Sequence, residues 1–234
     1  MTPPRVIAID GPAGSGKTTT ARAVAQALGF AHLDSGALYR AVTLAALDLG
    51  ADAGAARVLA AVEQTRAGLV RVGGGFRPEV GGVDVSQAIR SDRITQRVSA
   101  ISALPAVRDW VNRELRAAAA AHPVGVVLDG RDIGTVVFPD APLKVFLTAT
   151  PEERAKRRLT QEGRTVDRES LDRASRQLQS RDSADSSRAV APLRPAPDAV
   201  VLDTTSLSFA EQADQVVQHA RKVFTQLDIA QRPG

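Results

Sequence analysis

Gly11-Pro12-Ala13-Gly14-Ser15-Gly16-Lys17-Thr18 fills every fixed position of the phosphate-cradling pattern G-x-x-x-x-G-K-[ST]. In that pattern glycines let backbone N–H groups turn inward on a phosphate. Lys17 supplies a mobile positive charge, and the Thr18 hydroxyl can ligate Mg²⁺. A short motif can arise by chance, so its surroundings decide. Before it runs Arg5-Val6-Ile7-Ala8-Ile9-Asp10, a β-branched apolar run of strand length. After it, Thr18 to Leu28 is alanine-rich and helix-forming, and Gly29 stands where a helix stop belongs. Strand, glycine loop and helix follow in the order that aims a helix N-terminus at an anion. The stretch predicts binding of a nucleoside triphosphate, ATP, by Gly11 to Thr18 and the adjoining Thr19.

Working outward, further apolar runs recur between helical stretches: Phe30 to Leu33, Val124 to Leu128, Leu143 to Leu147 and Val200 to Leu202. With Val6 to Ile9 they make five strands alternating with helices, which predicts an α/β fold with a five-stranded parallel sheet covered on both faces. Ligands of such sheets bind beyond the carboxyl ends of the strands. Asp10, Asp34, Asp129 and Asp203 stand at those ends. Asp203 reads as a cap or turn residue.

Two segments break the alternation. From about Leu69 to Ile89, short strand-like runs are joined by Gly73-Gly74-Gly75 and Gly81-Gly82, which predicts a small antiparallel insertion. From Glu152 to Arg188 the chain is rich in arginine and poor in apolar residues, too polar for core and suited to a mobile helical flap. Asp92 to Ala121 reads as helix with a break at Pro105, and Leu207 to Leu227 as a closing helix.

Composition narrows the class. The chain of 234 residues is long enough for one substantial α/β domain, and 44% hydrophobic with 24% charged residues is ordinary for a soluble protein. It has no cysteine, so disulfides and thiolate metal sites are excluded. His32, His122 and His219 are scattered, which argues against a histidine metal cluster or catalytic triad. No apolar run approaches membrane-spanning length and a strand begins by Val6, so a cytoplasmic protein without a signal peptide or membrane partner is expected. A net charge of +4 is modest for nucleic-acid binding, and an aromatic content of 3% offers poor stacking platforms. The basic side chains are mostly arginine, since only Lys17, Lys144, Lys156 and Lys222 are lysines. Arginine suits bidentate phosphate recognition.

A phosphate loop names the donor and leaves the acceptor open. The guanine-reading tetrapeptide Asn-Lys-x-Asp is absent, and a single small core disfavours a motor. A small kinase should carry a second, arginine-built phosphate site. Candidates occur in three places. Asp34-Ser35-Gly36-Ala37-Leu38-Tyr39-Arg40 follows one strand, with Asp34 or Ser35 as helix cap. Asp129-Gly130-Arg131-Asp132 follows another. Arg181, Asp185 and Arg188 close the polar flap. The bland readings are capping for the first, a surface ion pair for the second and a solvated helix face for the third.

Taken together, these blocks resemble bacterial cytidylate kinase, a family of nucleoside monophosphate kinases. The resemblance is carried by Ile9-Asp10-Gly11-Pro12, Leu33-Asp34-Ser35-Gly36-Ala37-Leu38-Tyr39-Arg40, Asp129 to Pro142 and Arg188-Ala189-Val190-Ala191-Pro192-Leu193, which occur in the family's order. It implies a P-loop fold in three layers and transfer of the ATP γ-phosphoryl group to CMP or dCMP with Mg²⁺, in a monomer. It further implies core segments at 1–62, 99–153 and 183–234, a monophosphate-binding insertion at 63–98 and a lid at 154–182.

By the same resemblance Lys17, Arg131 and Arg188 are catalytic. Ser35, Arg40, Arg131, Arg181 and Arg188 surround CMP, chiefly its phosphate, and Asp185 faces the ribose. Ser99, Arg108 and Asp132 read the cytosine edge. Arg154, Arg157 and Arg158 lie at helical spacing on one face, as a lid over phosphates requires, with Arg157 and Arg158 assigned to ATP. Thr18 is the expected metal ligand, and Asp10 or Asp129 could orient the ion through water. The competing expectations are a kinase for UMP, AMP, shikimate or dephospho-coenzyme A, and a nucleotide-dependent RNA-binding module.

Overall fold

Strand β1 (Val6–Asp10) is buried at every position, as a strand covered on both faces must be. In the computed structural model, which describes residues 5–50 and 52–230, it lies within the sheet. It pairs in parallel with β6 (Val126–Gly130) on one side and β7 (Leu143–Thr148) on the other. β2 (Ala31–Asp34) joins outside β6, and β8 (Val200–Asp203) outside β7, both parallel. The order β2-β6-β1-β7-β8 is the expected five-stranded parallel sheet. Two boundaries move. β6 starts at Val126 and runs through Gly130, because pairing with Val6 and Ala31 begins there while Val124 stays exposed. β2 shifts one residue towards Asp34.

Successive β1 side chains point to opposite faces, so Val6 and Ala8 enter one core and Ile7 and Ile9 the other. The first core is closed by α2 (Ser35–Ala45), α3 (Ala55–Thr65) and α5 (Pro105–Ala120), through residues such as Leu38, Val58 and Val111. The second is closed by α1 (Lys17–Leu28) and α8 (Phe209–Ala230), through Val24, Val216 and Phe224. The layers are therefore helix, sheet, helix. Pro105 opens α5 at its first turn, where a missing N–H costs nothing, and thereby separates it from α4 (Asp92–Ser102).

The insertion is built as expected from a hairpin, β3 (Gly68–Val72) and β4 (Gly75–Val80), with β5 (Val83–Asp84) returning along β4. It is not a separate sheet. β4 joins the edge of β2 through His32 and Gly75, giving one eight-stranded sheet. The arginine-rich segment forms α6 (Pro151–Gln161) and α7 (Arg168–Ser186). The expectation that it is too polar for core is corrected: Ala155, Leu159, Ala174 and Leu178 bury against one another and against Ala13 of the phosphate loop. Few apolar residues suffice because only one seam between two helices needs filling.

Candidate active site

The phosphate loop connects β1 to α1. Gly16 precedes the first helical residue at φ +90°, and a side chain there would lie 2.9 Å from the Phe209 ring, so glycine is required on both counts. Lys17 is buried, and its Nζ donates to Pro12 O at 2.6 Å and approaches Ser15 Oγ at 3.4 Å. Burial, with Arg131 beside it, holds this ammonium well below the ordinary lysine range. Its charge is stabilised when an anion enters the loop.

Two strand-end carboxylates face this loop, and they do different things. Thr18 Oγ1 donates to Asp129 Oδ2 at 2.6 Å, while Asp129 Oδ1 lies 2.7 Å from His32 Nε2. Burial opposes ionisation of Asp129, but His32, then Thr18 and Lys17, bring its carboxyl below the usual range. Asp10 instead accepts from the backbone N–H groups of Ile133 and Gly134 at 2.9 and 2.8 Å. Burial pushes it up to about 6 against those bonds. Both Asp10 oxygens are thus occupied in anchoring the turn Ile133–Val137, a π-helical turn closed by Phe138 N–H to Ile133 O at 2.7 Å. Of the two carboxylates proposed to orient Mg²⁺, the geometry favours Asp129. Thr18 hydroxyl and Asp129 carboxylate are hard oxygen donors, and a Mg²⁺ carried by phosphates needs only one or two of them.

The acceptor side begins at α2. Asp34 is the cap, accepting from Ala37 N–H at 2.9 Å, which leaves Ser35 free to donate to Asp129 O at 2.8 Å. This contact explains Gly130, where a Cβ would sit 2.6 Å from Ser35 Oγ. Arg40 reaches across to Ile89 O at 3.0 Å and Thr95 Oγ1 at 2.9 Å, tying α2 to α4. Arg131 Nε donates to Asp185 Oδ2 at 2.9 Å, and Arg188 binds the other oxygen of the same carboxylate. Arg181 makes no ion pair, and its buried Nε has no hydrogen-bond partner among the described residues. Burial first, and then neighbouring arginines, push Arg181 and Arg40 down to about 10. Arg131, Arg181 and Arg188 therefore gather about Asp185, with Arg40 adjoining Arg131 and Arg181. An excess of half-buried guanidinium charge with an open donor suits a multiply charged anion.

Beside this cluster Arg108 and Asp132 form a buried pair at 2.5 Å, with side chains 3% and 6% exposed. The Arg108 guanidinium lies 5.5 Å from the Tyr39 ring centroid and donates to Ser102 O at 3.0 Å. Tyr39 is buried, as its place in an apolar helix face predicts, and its hydroxyl is unpartnered. Ser99 stands one turn before Ser102 on α4, half-buried.

Sequence reasoning treats Arg154, Arg157 and Arg158 as one face, but the structure separates their tasks. Arg154 is buried and donates to Ala149 O and Ala13 O at 3.1 and 3.0 Å. Arg157 binds Thr204 Oγ1 at 3.0 Å and lies over the Phe209 ring at 5.4 Å. Arg158 pairs with Glu162 and is close enough to add repulsion at Arg40 and Arg181. Thr19 is exposed in the first turn of α1. Sequence reasoning missed His32, Asp182 and Gln212. His32 was read as scattered because its partner, Asp129, is distant in the chain. Gln212 is fully buried, with Oε1 accepting from Thr20 Oγ1 at 3.0 Å. Gln215 and Gln218 stand in the same stretch, so nothing in the sequence singles Gln212 out.

Comparison with known proteins identifies relatives of the whole chain. The family model described as cytidylate kinase matches residues 7–222. A cytidylate kinase of Mycobacterium avium is 44% identical over 94% of this chain and 95% of its own length. One of Pseudomonas syringae pv. tomato is 47% identical over 91% of this chain and 93% of its own. Among solved structures, an uncharacterised protein from Eubacterium ventriosum superposes with a TM-score of 0.51 at 13% identity, covering 92% of this chain and 98% of that one. This last likeness speaks to the fold alone.

Proposed function

Because the chain belongs to the cytidylate kinase family, we propose that it transfers the γ-phosphoryl group of ATP to CMP or dCMP, giving ADP and CDP or dCDP. The single observation that carries this reading is Arg181 on α7: half-buried, with a buried Nε that has no partner among the described residues, and crowded by Arg40 and Arg131 close to the phosphate-loop Lys17. A second phosphate belongs there.

The chain's residues divide the work. Loop amides and Lys17 hold the donor phosphates, and Lys17 leaves Pro12 O to do so. Thr18 and Asp129 would hold Mg²⁺, which when bound neutralises charge on the donor phosphates. Arg131, Arg181 and Arg188 draw the CMP phosphate in line despite its charge, with Ser35 and Arg40 beside them. The attacking phosphate oxygen is already anionic, so no general base is needed, and positioning and charge stabilisation supply the rate. Asp132 accepts from the cytosine amino group, with Arg108 and Ser99 completing the base edge. Uracil, which offers an oxygen at that place, leaves the second Asp132 oxygen without a donor at a cost of about 1–3 kcal/mol. Asp185 serves the ribose while holding Arg131 and Arg188. We assign 63–98 to acceptor binding and 154–182 to the lid, and Arg157 and Arg158 to the ATP side.

A coupled assay of ADP release against CMP, dCMP, UMP, AMP and dephospho-coenzyme A tests this. CMP or dCMP should be the preferred acceptor. Activity that favoured another member of the panel would overturn the assignment.

A further inference from the structure

Ala13, in the middle of the phosphate loop, is held on all sides by the arginine-rich segment. Its N–H donates to Asp182 Oδ1 at 2.9 Å, and its carbonyl accepts from Arg154 Nη1 at 3.0 Å. The same Arg154 Nη1 binds Asp182 Oδ2, closing a ring of three residues. Its methyl group packs into the small core of Ala155, Leu159, Ala174 and Leu178. The ion pair is largely buried, with side chains 9% and 16% exposed. Arg154 is fixed independently by Nε donation to Ala149 O, so it is a preset arm rather than a surface charge.

The position of Asp182 on α7 gives this contact its meaning. Arg181 precedes it, and Asp185, which grips Arg131 and Arg188, follows one helical turn later. A single turn of α7 therefore touches the donor loop with one carboxylate and organises the acceptor arginines with another. We propose that the Arg154–Asp182 pair is a latch through which occupancy of the phosphate loop and of the acceptor site are coupled, and that both are positioning residues for phosphoryl transfer. This rests on the two-site reading above. When a phosphate draws the loop amides to itself, Ala13 moves, and α7 carries Arg181 and Asp185 with it. The reverse path operates when CMP pulls on the arginines, as linkage requires.

The test compares wild type with Asp182→Ala, Asp182→Asn and Arg154→Ala. CMP binding is measured by calorimetry with and without a non-hydrolysable ATP analogue, alongside kcat, KM and thermal midpoint. In wild type the analogue should tighten CMP by about fivefold or more, and in Asp182→Ala and Arg154→Ala by less than about twofold. Affinity for CMP alone should change little, and kcat should fall while both variants stay folded. Asp182→Asn keeps an oxygen for Ala13 N–H and loses the charge, so it should keep part of the coupling; it decides the matter if the alanine variant does not fold. The double variant should be no worse than either single one. Coupling absent from wild type, or undiminished in the variants, would overturn the latch. If wild type does not phosphorylate CMP at all, the reading of function fails instead, and the panel assay identifies that separately.

Discussion

Arg181 and Lys17 share a condition: each holds a buried donor nitrogen with too few partners among the described residues. Lys17 rests on Pro12 O, and Arg181 leaves Nε unpaired. Arg181→Ala should therefore raise KM for CMP by about ten- to hundredfold, the loss of a charge-assisted bond, while KM for ATP stays nearly constant. Steady-state kinetics with each substrate varied in turn checks this. Lys17→Ala should abolish transfer and leave the thermal midpoint nearly unchanged, because a buried ammonium with one good bond adds little to folding. Asp132→Ala should narrow the ratio of CMP to UMP activity. It should also destabilise the fold by about 3–5 kcal/mol in urea titration, since Arg108 loses its buried partner. An unchanged CMP:UMP ratio would remove Asp132 from base reading.

Among the elements, α6 and α7 depend on a narrow seam. Leu159 is fully buried in it. Leu159→Ala should cost about 2–5 kcal/mol locally and expose the connection between Gly163 and Val166 to limited proteolysis, while the central sheet stays protected. This seam also shows where sequence reading stops. The strands and the helices of the core were legible because β-branched runs and apolar periodicity declare buried faces. The seam was not, because four apolar side chains spread over 24 residues leave no period above the surrounding arginines. The turn Ile133–Val137 was equally opaque: its apolar text resembles a strand, and only Asp10, more than 120 residues away, turns its first two amides inward. Of the candidate site, the residues in contiguous motifs were legible. His32, Asp182 and Gln212 were not, because each acts through a partner that only the folded chain brings near.

At the scale of the whole molecule, Asp10 links stability to pH. Its folded-state value is raised to about 6 from 3.8, so the folded protein holds a proton that the unfolded chain has released between those pH values. Stability from this group therefore falls as pH rises through that window. Asp10→Asn removes the dependence: the stability of wild type relative to the variant should decline by about 2 kcal/mol between pH 4 and 6.5, with a limiting slope of about 1.4 kcal/mol per pH unit. Denaturant midpoints at several pH values check the sign and the size.

The pairing of β1 with β6 has a consequence for distance. The phosphate loop leaves β1 at Asp10, and Arg131 and Asp132 leave β6 after Gly130, which is its register partner. Neighbouring strands in a sheet lie about 4.8 Å apart, a spacing set by backbone hydrogen bonds and indifferent to side chains. The interval at which these two segments leave the sheet is thus ruled off by the peptide backbone, the least mutable part of the molecule. Insertions can be exchanged and helices lengthened around it, and the spacing of the two strand ends stays the same.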